Sequence, residues 1–217
     1  MKFVNLHTHL YTNSDSILEI VNQYPNEFSD EIPHYSIGIH PWYITDERVS
    51  EDVNTIKKKL QFKECVALGE CGLDKRIEKK IEVQIDVFES QLSLLSEVEK
   101  PVILHCVAAF DEVISCKKNS GLQSPFIMHG FSKNIPLAKQ LLNQDFYLSF
   151  GKYLLRNPEM ESVFKYVPNE RFFLETDTIT ESLEEVYTFA AKCKNISVDK
   201  MKEIVWNNYQ SVFNKMQ

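Results

Sequence analysis

The spacing of short apolar segments is the feature that most constrains the fold of this chain. Runs rich in β-branched and aromatic residues, which are typical of strands, recur along most of its length. Eight of them are predicted as strands, at residues 2–7, 17–22, 35–40, 66–70, 101–105, 126–129, 146–150 and 171–176. Helical patterns follow most of the later runs, at residues 49–62, 81–99, 108–119, 134–144, 157–167, 182–194 and 197–213. Because parallel neighbours need long return connections, this alternation predicts a parallel sheet.

The strand count and the chain length together favour one architecture. Eight strands with helical crossovers in 217 residues predict an α/β fold, an irregular (β/α)₈ TIM barrel that forms a single domain over residues 1–217. The first two connections are too short for full helices, so we expect contracted βα units there. A doubly wound open sheet is the competing architecture. It would normally carry a nucleotide-binding loop after its first strand, and the sequence contains neither GxGxxG nor GxxxxGK[ST].

Residue types that commonly bind metals stand at the ends of the predicted strands. Five of the six histidines and two acidic residues do so, namely His7, His9, His40, Glu70, His105, His129 and Asp177. Barrel enzymes build their active sites at the carboxyl ends of the strands. The sequence therefore predicts that these side chains converge on one site.

The pair His7 and His9 indicates what such a site would bind. Residues two apart on a strand point to the same face, so both imidazoles are expected to face the barrel mouth. Imidazoles and carboxylates bind divalent ions, and one carboxylate can bridge two of them. The predicted ligands for two ions are His7, His9, Glu70, His105, His129 and Asp177. An isolated HxH is weak support, since a histidine in the core is commoner, and the prediction depends on the whole set.

Two further residues of the set have distinct expected roles. Glu70 is the candidate for the carboxylate between the ions. His40 could be a ligand, but because six ligands already serve two ions, we expect it to contact the substrate instead.

Composition limits the partners and the compartment. The net charge of −7 excludes the basic surface that gives tight non-specific binding to nucleic acid. Five cysteines without CxxC spacing argue against both a disulfide framework and a zinc ribbon, so we expect reduced thiols and a cytoplasmic location. No signal segment or membrane-spanning run is visible, and we expect a monomer without membrane contact.

These motifs resemble the TatD family of metal-dependent hydrolases. The similarity runs in order through the chain, in "NLHTHL", "GIHPW", "LGECGLD", "QIDVFESQL", "PVILHC", "IMHGFS", "FYLSFGK", "FFLETDT" and "NYQSVF". It implies an irregular metallo-dependent hydrolase barrel with a binuclear centre. On the family pattern one ion takes His7, His9, Glu70 and Asp177, and the second takes Glu70, His105 and His129. Characterised members are largely Mg²⁺- or Mn²⁺-dependent deoxyribonucleases, and some remove D-amino acids from tRNA.

Three departures from the family pattern concern the surroundings of the metals. The family usually has an arginine two residues after the fifth-strand histidine, where this chain has Val107. A guanidinium there could bind a phosphate with two hydrogen bonds, so its loss weakens the expectation of phosphodiester recognition. The segment after Asp177 is shorter than in the family, and the first βα units are contracted. The basic segment "DKRIEKK" after Glu70 is equally consistent with phosphate contact and with a solvated surface.

Three functions follow from this pattern. The first is a metal-dependent deoxyribonuclease or phosphodiesterase with two Mg²⁺, Mn²⁺ or Zn²⁺ ions, in which Glu70 holds the ions, Asp177 acts as ligand and general base, and His40 contacts the phosphate. The second is a metal-dependent esterase, amidase or D-aminoacyl-tRNA deacylase on the same barrel, which the absence of an arginine at position 107 favours. The third is a non-enzymatic scaffold, and an intact ligand set argues against it.

Overall fold

A computed structural model describes residues 1–213 of the chain, and it contains every predicted strand. The strands are β1 (Phe3–Thr8), β2 (Ile17–Gln23), β3 (Tyr35–Ile37), β4 (Cys65–Asp74), β5 (Val102–Val107), β6 (Phe126–Met128), β7 (Phe146–Phe150) and β8 (Phe172–Leu174). They form one sheet in the order β1 to β8, and the four strand pairs whose register is defined are all parallel. This sequential parallel order confirms the α/β barrel class and excludes the doubly wound alternative, whose strand order reverses.

Except for one short helix, the helices lie where the 3.6-residue patterns predict them. They are α1 (Val49–Lys59), α2 (Ile81–Ser93), α3 (Phe110–Ser120), α4 (Ile135–Asn143), α5 (Lys152–Arg156), α6 (Glu159–Tyr166), α7 (Leu183–Lys194) and α8 (Val198–Phe213). The connection from β1 to β2 has no helix, and the connection from β2 to β3 contains only the 3₁₀ turn Pro25–Glu27. The first two βα units are therefore contracted, as predicted.

Two local boundaries differ from the sequence prediction. Helix α5 was not predicted, because five residues are too few for a recognisable helical period. Helix α6 begins at Glu159, later than the predicted start at residue 157, and Pro158 is its N-cap. The Asn157 side chain accepts a hydrogen bond from the Glu159 backbone N at 3.0 Å.

The chain divides into two compact units, with boundaries inside β2 and β6. One unit comprises Met1–Val21 with the chain from Ile127, and the other comprises Asn22–Phe126. Each has its own apolar interior. Fully buried aromatic rings dominate the first, at Phe146, Phe150, Phe164, Phe172, Phe173 and Tyr187. That the two units make one domain stays a prediction.

In the first unit, β1 is held at both of its edges. It pairs with β2 in parallel register, and the isolated bridge between Thr8 and Asp177 follows the end of β8. Helix α7 also contacts β1, because the buried Tyr187 hydroxyl lies 2.9 Å from the Val4 carbonyl and 3.1 Å from its N–H. The strand that carries His7 is thus fixed by groups far along the chain.

In the second unit, β4 extends further than predicted. All ten of its residues from Cys65 to Asp74 are buried. It pairs with β5 up to Asp74 opposite Val107, and the Lys75 N–H then donates to the Val107 carbonyl at 3.0 Å. The extension places Asp74 on the same strand as Glu70.

Replacing Tyr187 with Phe tests the link between α7 and β1. The change leaves the Val4 N–H and carbonyl without their buried hydroxyl partner, which costs about 1–3 kcal/mol of unfolding free energy. Urea unfolding measures the loss. Tyr166→Phe is the matched control, because that side chain is 42% exposed, and it should change stability by less than about 0.5 kcal/mol. Equal losses in both variants would contradict the assignment.

His34 provides a test of pH dependence. Burial lowers the pKa of His34 to about 4, below its ordinary value near 6.5. The unfolded chain therefore binds this proton first, and stability should fall as the pH drops from about 6.5 towards 4. Compared with His34→Asn, the wild type should lose about 2 kcal/mol more unfolding free energy between pH 7 and pH 4.5. Parallel unfolding curves of the two proteins at both pH values would contradict it.

Candidate metal-binding clusters

The first cluster contains His7, His9 and Asp177. The Asp177 N–H donates to the His7 carbonyl at 2.9 Å, and the His9 N–H donates to the Asp177 carbonyl at 3.2 Å. These bonds bring the carboxylate to the imidazoles, with Asp177 Oδ1 at 3.8 Å from His7 Nε2 and 3.5 Å from His9 Nε2. Asp177 has a φ of 54°, a left-handed conformation that aspartate tolerates better than most residues. A carboxylate between two imidazoles is a chemically suitable donor set for a divalent ion.

His129 completes this cluster. Its ring centroid lies 4.4 Å from that of His7. One ligand atom from each of His7, His129 and Asp177 falls within 4.8 Å of the others, which is close enough for one cation to contact all three. His7 is fully buried, so its imidazole is held in place by the surrounding interior.

Glu175 orients His129, and sequence reasoning missed it. Its Oε1 lies 3.3 Å from His129 Nδ1 and accepts a hydrogen bond from the Gly130 N–H at 2.7 Å. Burial raises the pKa of Glu175, but His129, then His7 and Ser149, lower it, and the pKa ends below its usual range. An ionised carboxylate at Nδ1 makes Nε2 the nitrogen of His129 that could bind a metal. The available signal was its position two residues before Asp177.

The second cluster contains His40, Glu70 and His105. Glu70 Oε1 lies 2.9 Å from His105 Nδ1 and 3.3 Å from His40 Nε2. The ring centroids of the two histidines are 4.2 Å apart. The buried Glu70 is anchored by its backbone N–H, which donates to the Asn22 side chain at 2.7 Å. The three residues offer ligand atoms within 4.8 Å of one another, so His40 has the geometry of a ligand as well as that of a substrate contact.

Asp74 is a second carboxylate that sequence reasoning missed. Its Oδ2 accepts a hydrogen bond from Trp42 Nε1 at 2.7 Å and lies 3.4 Å from His105 Nε2. Burial raises its pKa, but the bonds from Trp42, the Arg76 backbone and His105 lower it, and the pKa ends below its usual range. His105 therefore lies between two carboxylates. The signal was the position of Asp74 four residues after Glu70 on one strand, which the predicted end of that strand at residue 70 concealed.

The predicted site residues thus fall into two clusters, one in each unit. The structure brings His7, His9, His129 and Asp177 together, and it brings His40, Glu70 and His105 together. Val107, the position of the family arginine, lies on β5 opposite Asp74.

Gly72 makes the second cluster sterically feasible. Its φ is +139°, and a Cβ there would lie 2.1 Å from the backbone oxygen of His105. Only glycine allows β4 to approach β5 this closely.

Gly72→Ala should therefore displace His105 and destabilise the protein by about 2–4 kcal/mol. Gly121→Ala is the matched control, because its φ is also positive, at +66°, but nothing lies within 4 Å of the added Cβ. It should cost only about 1 kcal/mol. Urea unfolding with metal analysis of the purified proteins measures both effects. Equal losses would show that backbone conformation, and not the contact with His105, sets the cost.

Comparison with known proteins identifies relatives of the chain. A family model described as TatD related DNase matches residues 1–214. An uncharacterised metal-dependent hydrolase, YabD of Bacillus subtilis, is 32% identical over 164 residues, which is 74% of this chain and 62% of that protein. The 3′-5′ ssDNA/RNA exonuclease TatD of Erwinia tasmaniensis is 30% identical over 146 residues, 64% of this chain and 56% of that protein. The aligned regions thus span less than two thirds of these relatives.

Solved structures share the fold over nearly the full chain. The crystal structure of YJJV, a TatD homologue from Escherichia coli, superposes with a TM-score of 0.83 at 20% identity, covering 98% of each chain. A TatD family hydrolase from Entamoeba histolytica gives the same TM-score and coverage at 17% identity. These likenesses confirm the irregular barrel fold.

Among residues 1–213, every helix is too short or too polar to cross a membrane.

Proposed function

The chain belongs to the family of TatD-related DNases, and on this basis we propose that it is a divalent-metal-dependent deoxyribonuclease or phosphodiesterase. The observation that carries the proposal is the occurrence, at strand ends, of two clusters that each combine imidazoles with at least one carboxylate. Relatives named as metal-dependent hydrolases and as a 3′-5′ ssDNA/RNA exonuclease support the reaction class.

We further propose that the predicted site residues are ligands of two divalent ions, as the resemblance to the family implies. On the family pattern His7, His9, Glu70 and Asp177 would bind one ion, and Glu70, His105 and His129 would bind the other. The donor set fits, because mixed imidazole and carboxylate ligands suit Mn²⁺ and Zn²⁺, and Mg²⁺ accepts the carboxylates. When bound, such ions lower the pKa of a coordinated water and neutralise charge on the attacked phosphate.

The protein's own groups then have separate tasks. The Asp177 carboxylate, 29% exposed, would accept the proton of the attacking water. Glu175 and Asp74 would orient His129 and His105 through the contacts described above. His40 would hydrogen-bond a phosphate oxygen through Nε2, which now faces Glu70 at 3.3 Å.

The cellular setting is inferred from composition. We infer a monomer with DNA as its substrate and a cytoplasmic location. Within residues 1–213 the five cysteines form no disulfide, which is typical of proteins in reducing compartments.

The direct test combines metal analysis with cleavage. Purified protein is incubated with single-stranded and duplex DNA in Mg²⁺, Mn²⁺, Zn²⁺ or chelator. We expect metal-dependent products and about two bound ions per chain. Glu70→Gln and Asp177→Asn should lower kcat by roughly 10²-fold or more, together with metal content. Glu51→Gln, on the exposed first turn of α1, is the control and should change neither.

A panel of carboxylic esters and aminoacyl esters tests the second function. The observation that favours the esterase or deacylase function is Val107, since a valine side chain cannot donate a hydrogen bond to a phosphate. Metal-dependent ester cleavage without cleavage of DNA would contradict the nuclease function and support the esterase or deacylase function. Metal-loaded protein without activity on either class would overturn both.

A further inference from the structure

Two large aromatic side chains stand exposed directly after His40. Trp42 is 57% exposed and Tyr43 is 55% exposed. Their ring centroids lie 5.0 Å and 5.5 Å from that of His40, which belongs to the second cluster. The aromatic surface therefore begins at a candidate metal ligand. Exposed tryptophan is rare, because it leaves a large apolar area in water.

The indole of Trp42 is fixed at its edge, although its face is open. Its Nε1 donates to the buried Asp74 at 2.7 Å, and its backbone N donates to His40 Nδ1 at 3.1 Å. Its ring also lies edge-on to His105, at 5.7 Å between centroids. A side chain held in one rotamer loses little entropy when a ligand stacks on it. This tryptophan is thus preorganised to receive a flat ligand.

The same carboxylate, Asp74, also binds the backbone of a cationic residue, Arg76. Asp74 Oδ1 accepts the backbone N–H of Arg76 at 2.8 Å, while Oδ2 holds the indole. The Arg76 side chain is exposed, and no ion pair to another residue in 1–213 is found for it. Lys75, in contrast, pairs with Glu112 at 2.5 Å. The guanidinium of Arg76 is therefore available to an anionic ligand.

The position of Arg76 is also relevant to Val107, which stands where the family usually has an arginine. Asp74 is the register partner of Val107, and the Lys75 N–H donates to the Val107 carbonyl at 3.0 Å. Arg76 thus lies one residue after Lys75, whose backbone bonds to the position that lacks the family arginine. The segment after β4 therefore carries an arginine close along the backbone to the position where β5 has a valine.

We propose that Trp42 and Arg76 form a subsite for one unpaired nucleotide beside the His40–Glu70–His105 cluster. The base stacks on the indole face, and Arg76 binds the neighbouring phosphate. The subsite rests on the proposed function, since it takes nucleic acid as the ligand. Stacking needs a base that is free of its partner strand, so the subsite favours single strands and frayed ends over closed duplex.

Equilibrium binding without turnover tests the stacking contact. A labelled oligothymidylate and an abasic oligonucleotide of the same length are titrated in chelator, with binding followed by anisotropy. The wild type should prefer the base-containing strand, and Trp42→Ala should weaken its binding roughly 10-fold or more. Binding of the abasic strand should not change. Phe62→Ala is the matched control, because Phe62 is also an exposed aromatic, at 52%, and it should leave both affinities unchanged.

Trp42→Phe separates the stacking contact from the hydrogen bond that Trp42 Nε1 donates to Asp74. Phenylalanine keeps a stacking face but cannot donate to the carboxylate. It should restore most of the affinity for the base-containing strand. If Phe is as poor as Ala, or if the wild type does not prefer bases, the proposal is overturned.

A spectroscopic signal checks the same contact directly. The chain has two tryptophans, so in Trp206→Phe the remaining indole fluorescence comes from Trp42. Oligothymidylate should quench it, and the abasic strand should not. Equal signals from the two strands would contradict stacking.

Salt dependence tests the phosphate contact. In Arg76→Gln the slope of log affinity against log salt should decrease by about 0.7, the value for one phosphate on a single strand. Lys63→Gln, with a side chain that is 88% exposed near the start of β4, is the control and should keep the slope. An unchanged slope in Arg76→Gln overturns the role of Arg76.

Cleavage assays on the same preparations keep the two proposals apart. Normal cleavage with no base-dependent binding overturns the subsite alone. Base-dependent binding without metal-dependent cleavage overturns the hydrolytic function alone.

Discussion

Two backbone hydrogen bonds between the two ends of the barrel sequence support the first candidate metal-binding cluster. They join His7 and His9 to Asp177 at 2.9 Å and 3.2 Å, across almost the whole chain. Closing so long a loop costs conformational entropy, which the aromatic interior of the same unit offsets. Because the bonds fix the backbone on both sides of Asp177, its carboxylate lies between the imidazoles of His7 and His9. The chemistry of this cluster is thus a consequence of strand pairing.

Both clusters hold ionised carboxylates in a mostly buried setting, and this costs free energy unless donors or cations compensate. The compensation is specific. Gly130 donates to Glu175, and Trp42 and the Arg76 backbone donate to Asp74. The pKa of Glu175 is lowered by His129, His7 and Ser149, and the pKa of Asp74 is lowered by Trp42, the Arg76 backbone and His105. Divalent ions would add to the same balance, so metal binding and folding stability should be coupled.

Local patterns were sufficient for most of the fold. The strands came from short apolar runs, and the helices came from amphipathic periods, since both are set by neighbours in sequence. The misses have two causes, partners that are remote in sequence and an element that is too short. The extension of β4 to Asp74 depends on pairing with β5, and helix α5 is too short to show a period. The orienting carboxylates Glu175 and Asp74 were missed because their partners, His129 and His105, lie 46 and 31 residues away along the chain.

The sequence by itself determined which residues are able to bind metal and that they stand at strand ends. Residue type sets donor chemistry, and periodicity sets which residues end a strand. Only the tertiary structure decided how these donors are grouped, which carboxylates orient them, and that His40 faces Glu70 at 3.3 Å. It also decided that Trp42 is exposed yet held by Asp74 at 2.7 Å. These features depend on contacts between strands and loops that are remote in sequence, and no local pattern records such contacts.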